Sequence, residues 1–194
     1  MTTESSPDGN NTPNTICSIQ FFLILDNAGK RIYCNYYTDE YKTIESQLDF
    51  EKKLCQITDK YMVDKSDLDI INFANFNILC KINSEVSFFI GQDENENEIL
   101  LEKVYNEFET QLFNIIQDSL TREKIINSYD KIIILIDEMI NGGLVLNLDN
   151  DSLYNRIFAE KLHQKNSGEN NDNKNTSNKS FISNWFGFWG SGNK

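Results

Sequence analysis

The stretch FFLILDNAGKRIYCNYY, Phe21 to Tyr37, sets two apolar runs on either side of the chain's only Gly-Lys pair, Gly29-Lys30. Phe21 to Leu25 is continuously apolar, as in a strand covered on both faces. Ile32, Cys34 and Tyr36 alternate with Tyr33, Asn35 and Tyr37 at the two-residue period of a strand. A Gly-Lys after a strand can open a phosphate cradle, or it can belong to a turn that reverses one strand onto the next. The cradle needs a glycine five positions before the Gly-Lys and a Ser or Thr after it to hold magnesium. Here no earlier glycine stands near, and Arg31 occupies the Ser/Thr place. Asp26-Asn27-Ala28-Gly29 therefore reads as a turn with Gly29 at positive φ, and the stretch predicts an N-terminal hairpin.

After Tyr37 the period changes. Phe50, Leu54, Ile57 and Tyr61 recur at helical spacing behind Thr43 or Ser46 as a cap, which predicts an amphipathic helix over roughly 44–60. The two-residue period returns at 69–73, at Phe76, Ile78, Cys80 and Ile82, and at 86–90 after a turn at Asn83-Ser84. These three strands, read as a meander, bring the sheet to five. Leu101, Val104, Phe108, Leu112 and Ile115 form the stripe of a long helix, and the acidic approach QDENENE suits the positive end of its macrodipole. Tyr129, Ile132, Ile133, Ile136 and Ile140 share a second helical face that Gly142-Gly143 would end, although IIILI alone also fits a buried strand. Leu144 to Leu146 reads as extended. Leu153, Ile157 and Leu162 mark a short last helix opened by Asp149 to Asp151.

The 194 residues suffice for one ordinary domain. Residues 1–15 are Ser-, Thr-, Asn- and Pro-rich and should be disordered, the body should span 16–163, and 164–194 should be an Asn- and Ser-rich linker with an aromatic tail. A net charge of −12 opposes phosphate backbones and anionic lipid headgroups, which argues against direct nucleic-acid or membrane-surface binding. Cys17, Cys34, Cys55 and Cys80 stand singly, without a CxxC pair or a His cluster, and read as reduced core residues of a cytosolic protein. No N-terminal signal pattern and no apolar run of transmembrane length is present in the sequence.

Candidates for chemistry are few. Asp137-Glu138, inside a strongly apolar segment, is the best pair for acid–base work. On a helix, however, neighbouring side chains diverge, so charges that bond to nearby backbone or meet a partner's base are the favoured reading. His163, the only histidine, borders the linker and is poorly placed as a catalytic base. Asp93, Glu94, Glu96 and Glu98 lack calcium-loop spacing and read as a solvated helix start, so neither a metal nor a cofactor is expected. Trp185, Phe186, Phe188 and Trp189 in FISNWFGFWG fit an adhesive end, a linear peptide motif for a partner's groove, or an interfacial anchor.

LILDNAGKRIYCNYY at 23–37, FEKKLCQ at 50–56, SFFIGQDENENEILL at 87–101 and YDKIIILIDEMINGGLVLNLD at 129–149 together resemble, in collinear order, the zeta-subunit family of coatomer over about residues 16–162. The related sigma subunits of clathrin adaptors share the FEKK-like and DE-x-x-x-GG-like segments, but the LDN-x-GKRI turn followed by a double Tyr looks more like zeta. The resemblance implies a longin-like α+β fold, a five-stranded antiparallel sheet flanked by helices in the order β-β-α-β-β-β-α-α-(α), with IIILI as helix. It implies no enzymatic activity. It implies instead a structural subunit of the coatomer (COPI) vesicle coat, bound directly to the gamma subunit and joined to the other coatomer chains in a hetero-oligomer. An Arf-family GTPase would recruit that complex to the cytosolic face of Golgi membranes for retrograde Golgi-to-ER and intra-Golgi protein transport. A sigma-type adaptor subunit and a longin-type regulatory module acting with a GTPase are the alternatives. An obligate interface with gamma further implies that the chain expressed alone aggregates and is rescued by co-expression. The tail has no counterpart in the family pattern; Trp185-Phe186-Gly187-Phe188 is close to the W-x-x-F peptides that adaptor appendage domains bind.

Overall fold

The computed structural model of the protein describes residues 18–61 and 68–158. The elements in chain order are β1 (Ile19–Asp26), β2 (Arg31–Tyr36), α1 (Ile44–Tyr61), β3 (Leu68–Phe73), β4 (Phe76–Ile82), β5 (Val86–Asp93) and α2 (Ile99–Ile116). There follow α3 (Arg122–Asn127), α4 (Tyr129–Met139), β6 (Ile140–Asn141), β7 (Leu144–Val145) and α5 (Asn150–Ile157). Residues 1–17, 62–67 and 159–194 are outside this description, and with them Cys17, Leu162, His163 and the tail residues Trp185, Phe186, Phe188 and Trp189.

The continuous apolar run of β1 is explained by its place inside the sheet, whose order is β2-β1-β5-β4-β3 with every pairing antiparallel. Alternate residues of β1 feed two cores. Phe21, Leu23 and Leu25 join Ile78, Cys80 and Phe89 beneath Phe50 and Leu54 of α1. Phe22 and Ile24 join Phe88 and Ile90 beneath Leu101, Val104 and Phe108 of α2 and Ile132, Leu135 and Ile136 of α4. With each large apolar side chain contributing roughly 1.5–3 kcal/mol when fully buried, the sheet is held from both sides. The result is three layers, with α1 on one face and α2 to α5 on the other.

Local chemistry fixes the ends. Thr43 Oγ1 accepts from Ser46 N (3.2 Å) while Ser46 Oγ accepts from Thr43 N (3.3 Å), so both residues offered as caps act as a reciprocal box that starts α1. The inward face of α1 includes Glu51 and Thr58, both buried, while Ile57 is only half-buried; polar side chains with partners displace the apolar stripe read from spacing. Gly91 faces Phe21 across the β1–β5 ladder, where a Cβ would lie 2.2 Å from the ring. Only glycine lets that ring cross the strand, with Phe50 and Phe76 edge-on to it at 5.2 and 5.5 Å.

IIILI is helical, as the family pattern implies. Thr121, accepting from Lys124 N, caps a separate short helix ahead of it, α3. Gly142-Gly143 does not end α4. The helix stops at Met139, Ile140 is already extended, and the glycines, at φ +57° and +85°, form the two-residue turn of the β6–β7 hairpin. That hairpin is fastened to the start of β1 by Ile19 N donating to Gly143 O at 2.7 Å. α5 is positioned by Gln111, whose Nε2 donates to Asn150 O (3.0 Å) and Oδ1 (2.7 Å).

Candidate interface

Gly29-Lys30 lies in a turn whose amides are already engaged. Asp26 Oδ1 accepts from Ala28 N (3.0 Å) and Lys30 N (2.9 Å), and Gly29 N donates to Asp26 O (2.9 Å). The groups that would wrap a phosphate therefore hold the chain's own carboxylate. Burial pushes the Asp26 carboxyl up, but the amides of Lys30 and Ala28 and the Arg122 guanidinium, 3.3 Å away, bring it below its ordinary range. A cavity of about 550 Å³ beside the turn is lined by Asp26, Asp59, Cys55, Thr58, Ser87 and Phe89 among others. No basic side chain lines it among the described residues, so it repels the anion a Gly-Lys loop would hold.

Arg31, in the Ser/Thr place, is structural. Its Nε donates to both oxygens of Glu51 (3.0 and 2.8 Å), a further nitrogen reaches Gln47 Oε1 (3.1 Å), and Tyr36 Oη donates to Glu51 Oε1 (2.7 Å). Glu51 is only 2% exposed, so this network locks β2 to α1. The apolar stripe of α1 does not announce it; the available signal was Glu51 standing three residues before Leu54, on the helix face turned to the sheet.

The two carboxylates offered for acid–base work separate as helix geometry requires. Glu138 pairs with Arg156 of α5. Asp137 is exposed, with no ion pair or hydrogen bond among the described residues. Cys34, Cys55 and Cys80 are free thiols pushed up by burial, which favours the protonated thiol over the nucleophilic thiolate. The Asp93 carboxylate caps its own turn, accepting from Asn95 N at 2.9 Å, and no group of metal-binding side chains exists among the described residues.

Unpartnered surface is what remains. β2 and β3 are the edges of the sheet, and β3 carries half-buried apolar residues on both faces. Ile44 and Leu48 project from α1, Ile99 (70% exposed) from the start of α2, and Leu144 and Leu146 (60%) from the β6–β7 hairpin. Along α4, Tyr129, Ile133 and Asp137 succeed one another on one face beside the edge strand β2. Tyr33 of that edge and Tyr37, just past its end, both pushed up first by burial, also feel the Asp137 carboxylate. Open sheet edges are where a further chain can add to a sheet, and these are the surfaces the fold leaves for one.

The sequence profile of the family described as clathrin adaptor complex small chain matches residues 18–164. The chain belongs to that family. Among relatives of this small chain, coatomer subunit zeta-1 of Oryza sativa subsp. japonica is 28% identical over 145 residues, 75% of this chain and 81% of that protein. Coatomer subunit zeta of Saccharomyces cerevisiae is 28% identical over 153 residues (74% and 78%), and coatomer subunit zeta-1 of Homo sapiens is 24% identical over 143 residues (74% and 78%). A chain in a homology model of the full-length AP-3 complex in a stretched open conformation shares the fold, with a TM-score of 0.54 at 13% identity, covering 77% of this chain and 96% of that one. The small-chain fold is thus the longin-like sheet and helices described above.

Proposed function

We propose that this small chain is the zeta-type subunit of the coatomer (COPI) coat and pairs directly with the coatomer gamma subunit. Their core, with the other coatomer chains, is recruited by an Arf-family GTPase to the cytosolic face of Golgi membranes and serves retrograde Golgi-to-ER and intra-Golgi transport. The observation that carries this reading is the run of zeta-named relatives from plant, yeast and mammal aligned over about three quarters of the chain. The role is structural rather than catalytic, and attachment to the membrane is indirect. No described helix is long and apolar enough to cross a membrane, and the charge of −12 disfavours anionic headgroups. Open sheet edges and projecting Leu144, Leu146 and Ile99 give a large partner surface to cover.

Co-expression tests it. The full chain alone should aggregate as its concentration rises, and coatomer gamma subunit should convert it to a monodisperse pair; a soluble monomer indifferent to gamma counts against the proposal. The family description and the AP-3 likeness favour a second reading, a sigma-type subunit of a clathrin adaptor, which predicts rescue by an adaptor large chain instead. For Trp185, Phe186, Phe188 and Trp189 we propose a linear motif that docks on an appendage or accessory protein. Capture of such a domain that survives Trp185→Ala with Trp189→Ala removes that proposal.

A further inference from the structure

The cavity of about 550 Å³ lies between the last turns of α1 and one end of the sheet. Cys55, Thr58 and Asp59 line it from the helix, and Ile82, Ser87 and Phe89 line it from β4 and β5. Its volume falls within the roughly 300–1,000 Å³ of ligand pockets. Three polar side chains on its lining are buried, and two of them are engaged within the chain. Asp26 accepts from Ala28 N and Lys30 N, and Thr58 Oγ1 donates to Leu54 O (3.1 Å) and Cys55 O (3.0 Å). The third, Ser87, is 9% exposed and shares the α1-facing side of β5 with Phe89, and its hydroxyl has no hydrogen bond among the described residues. A buried hydroxyl that opens on a cavity and finds no partner in its own chain points to a ligand that supplies one.

The surrounding charge selects the class of that ligand. Among the described residues no basic side chain lines the cavity, whereas Asp26 and Asp59 do. The Cys55 thiol on the wall is pushed up first by burial and then by the Asp59, Glu51 and Asp26 carboxylates, so the space beside it lies in their negative field. Ile82 and Phe89 give the same space an apolar side. We propose that this cavity binds a primary alkylammonium group, carried by a lysine side chain of the large partner subunit or by a free aliphatic amine. The ammonium, with three N–H donors and no acceptor, donates to the Ser87 hydroxyl oxygen and faces Asp59, while its methylenes lie against Ile82 and Phe89. The same charges exclude a carboxylate or a phosphate. The cavity's chemistry stands apart from the coat-subunit reading; only the lysine source rests on it.

Thermal unfolding of the dilute full chain tests the site, with n-butylammonium chloride as the probe and tetramethylammonium chloride, which has no N–H, at equal ionic strength. The midpoint should rise saturably with n-butylammonium alone. Ser87→Ala should leave the midpoint without amine close to where it was, because no internal hydrogen bond is lost. It should raise the half-saturating amine concentration about tenfold, the loss of one hydrogen bond to a charged group. Asp59→Asn should also raise that concentration and flatten its salt dependence. No rise, equal rises with the two cations, or a rise that neither substitution changes overturns the site. Affinity for coatomer gamma subunit separates the sources. Weaker gamma binding by Ser87→Ala, with competition from n-butylammonium, assigns the group to a lysine of gamma, and unchanged gamma binding assigns it to a free amine. An unsubstituted chain that does not bind gamma overturns the coat-subunit reading and leaves the amine result standing.

Discussion

Replacing Gly91 by alanine puts a methyl group into the ring of Phe21. The added Cβ would lie 2.2, 2.3 and 2.8 Å from Cζ, Cε1 and Cε2 of that ring, all shorter than carbon atoms tolerate. Neither side can yield easily. Phe21 is fully buried and enclosed by Tyr36, Phe50 and Phe76 with ring centroids 5.8, 5.2 and 5.5 Å away. Gly91 is held on both sides of β5, opposite Phe21 on β1 and Ile78 on β4. Overpacking a well-filled core costs about 1–3 kcal/mol, and with both partners fixed the upper end applies. At roughly 2–4 °C per kcal/mol for a domain of this size, Tm should fall by about 6–12 °C. The assay is thermal unfolding of the dilute full chain followed by far-UV circular dichroism. Phe21→Leu, which withdraws the ring, should recover at least about 1 kcal/mol of the loss in the double variant. An unchanged midpoint for Gly91→Ala, or strictly additive losses, would refute the packing argument.

Lowering pH should expose the turn at Asp26. Its carboxyl is held below the ordinary 3.8 in the folded chain, so its contribution is complete above that value and is lost as pH falls through the lower folded value; Asp26→Asn should flatten this acid limb in unfolding midpoints. Arg31→Ala leaves buried Glu51 uncompensated and should cost about 3 kcal/mol, the low end for such pairs because Arg31 is 22% exposed. Arg31→Met combined with Glu51→Leu should be more stable than either single change by the same unfolding assay. Gly142→Ala meets no atom within 4 Å and should cost only the positive-φ strain of about 1–2 kcal/mol. Gly143→Ala adds a 2.7 Å clash with Ile19 O and should cost visibly more, with faster hydrogen exchange at the Ile19 and Leu146 amides.

Much of the architecture was legible because periodicity reports which faces are buried. The double-sided apolar run of β1 and the stripe of α2 each describe a burial environment that the fold then supplies, whereas β4, read as alternating, is buried on both faces from Phe76 to Cys80, and in β2 only Tyr33, from the set opposite Ile32, Cys34 and Tyr36, is buried. Glycine roles were legible only in part. Gly29 sits in the positive-φ turn its neighbours announce, whereas Gly142-Gly143 serves a hairpin that two-residue strands are too short to signal by period. Gly91 serves a ring seventy positions away in sequence, a long-range packing relation that no local pattern contains. The same holds for the pairing of Arg31 with Glu51 and for the unpaired state of Asp137 among the described residues. A charge shows its type in sequence, but its pairing or lack of pairing appears only when α1, α4 and β2 are brought together.

The most direct test of the coat-subunit account is affinity purification of the tagged full chain from its own cells, with the recovered proteins identified and quantified by mass spectrometry. The account predicts the complete set of other coatomer chains in stoichiometric amounts, gamma among them. Recovery of clathrin-adaptor large chains in their place, or of a GTPase without any coat chain, would contradict it.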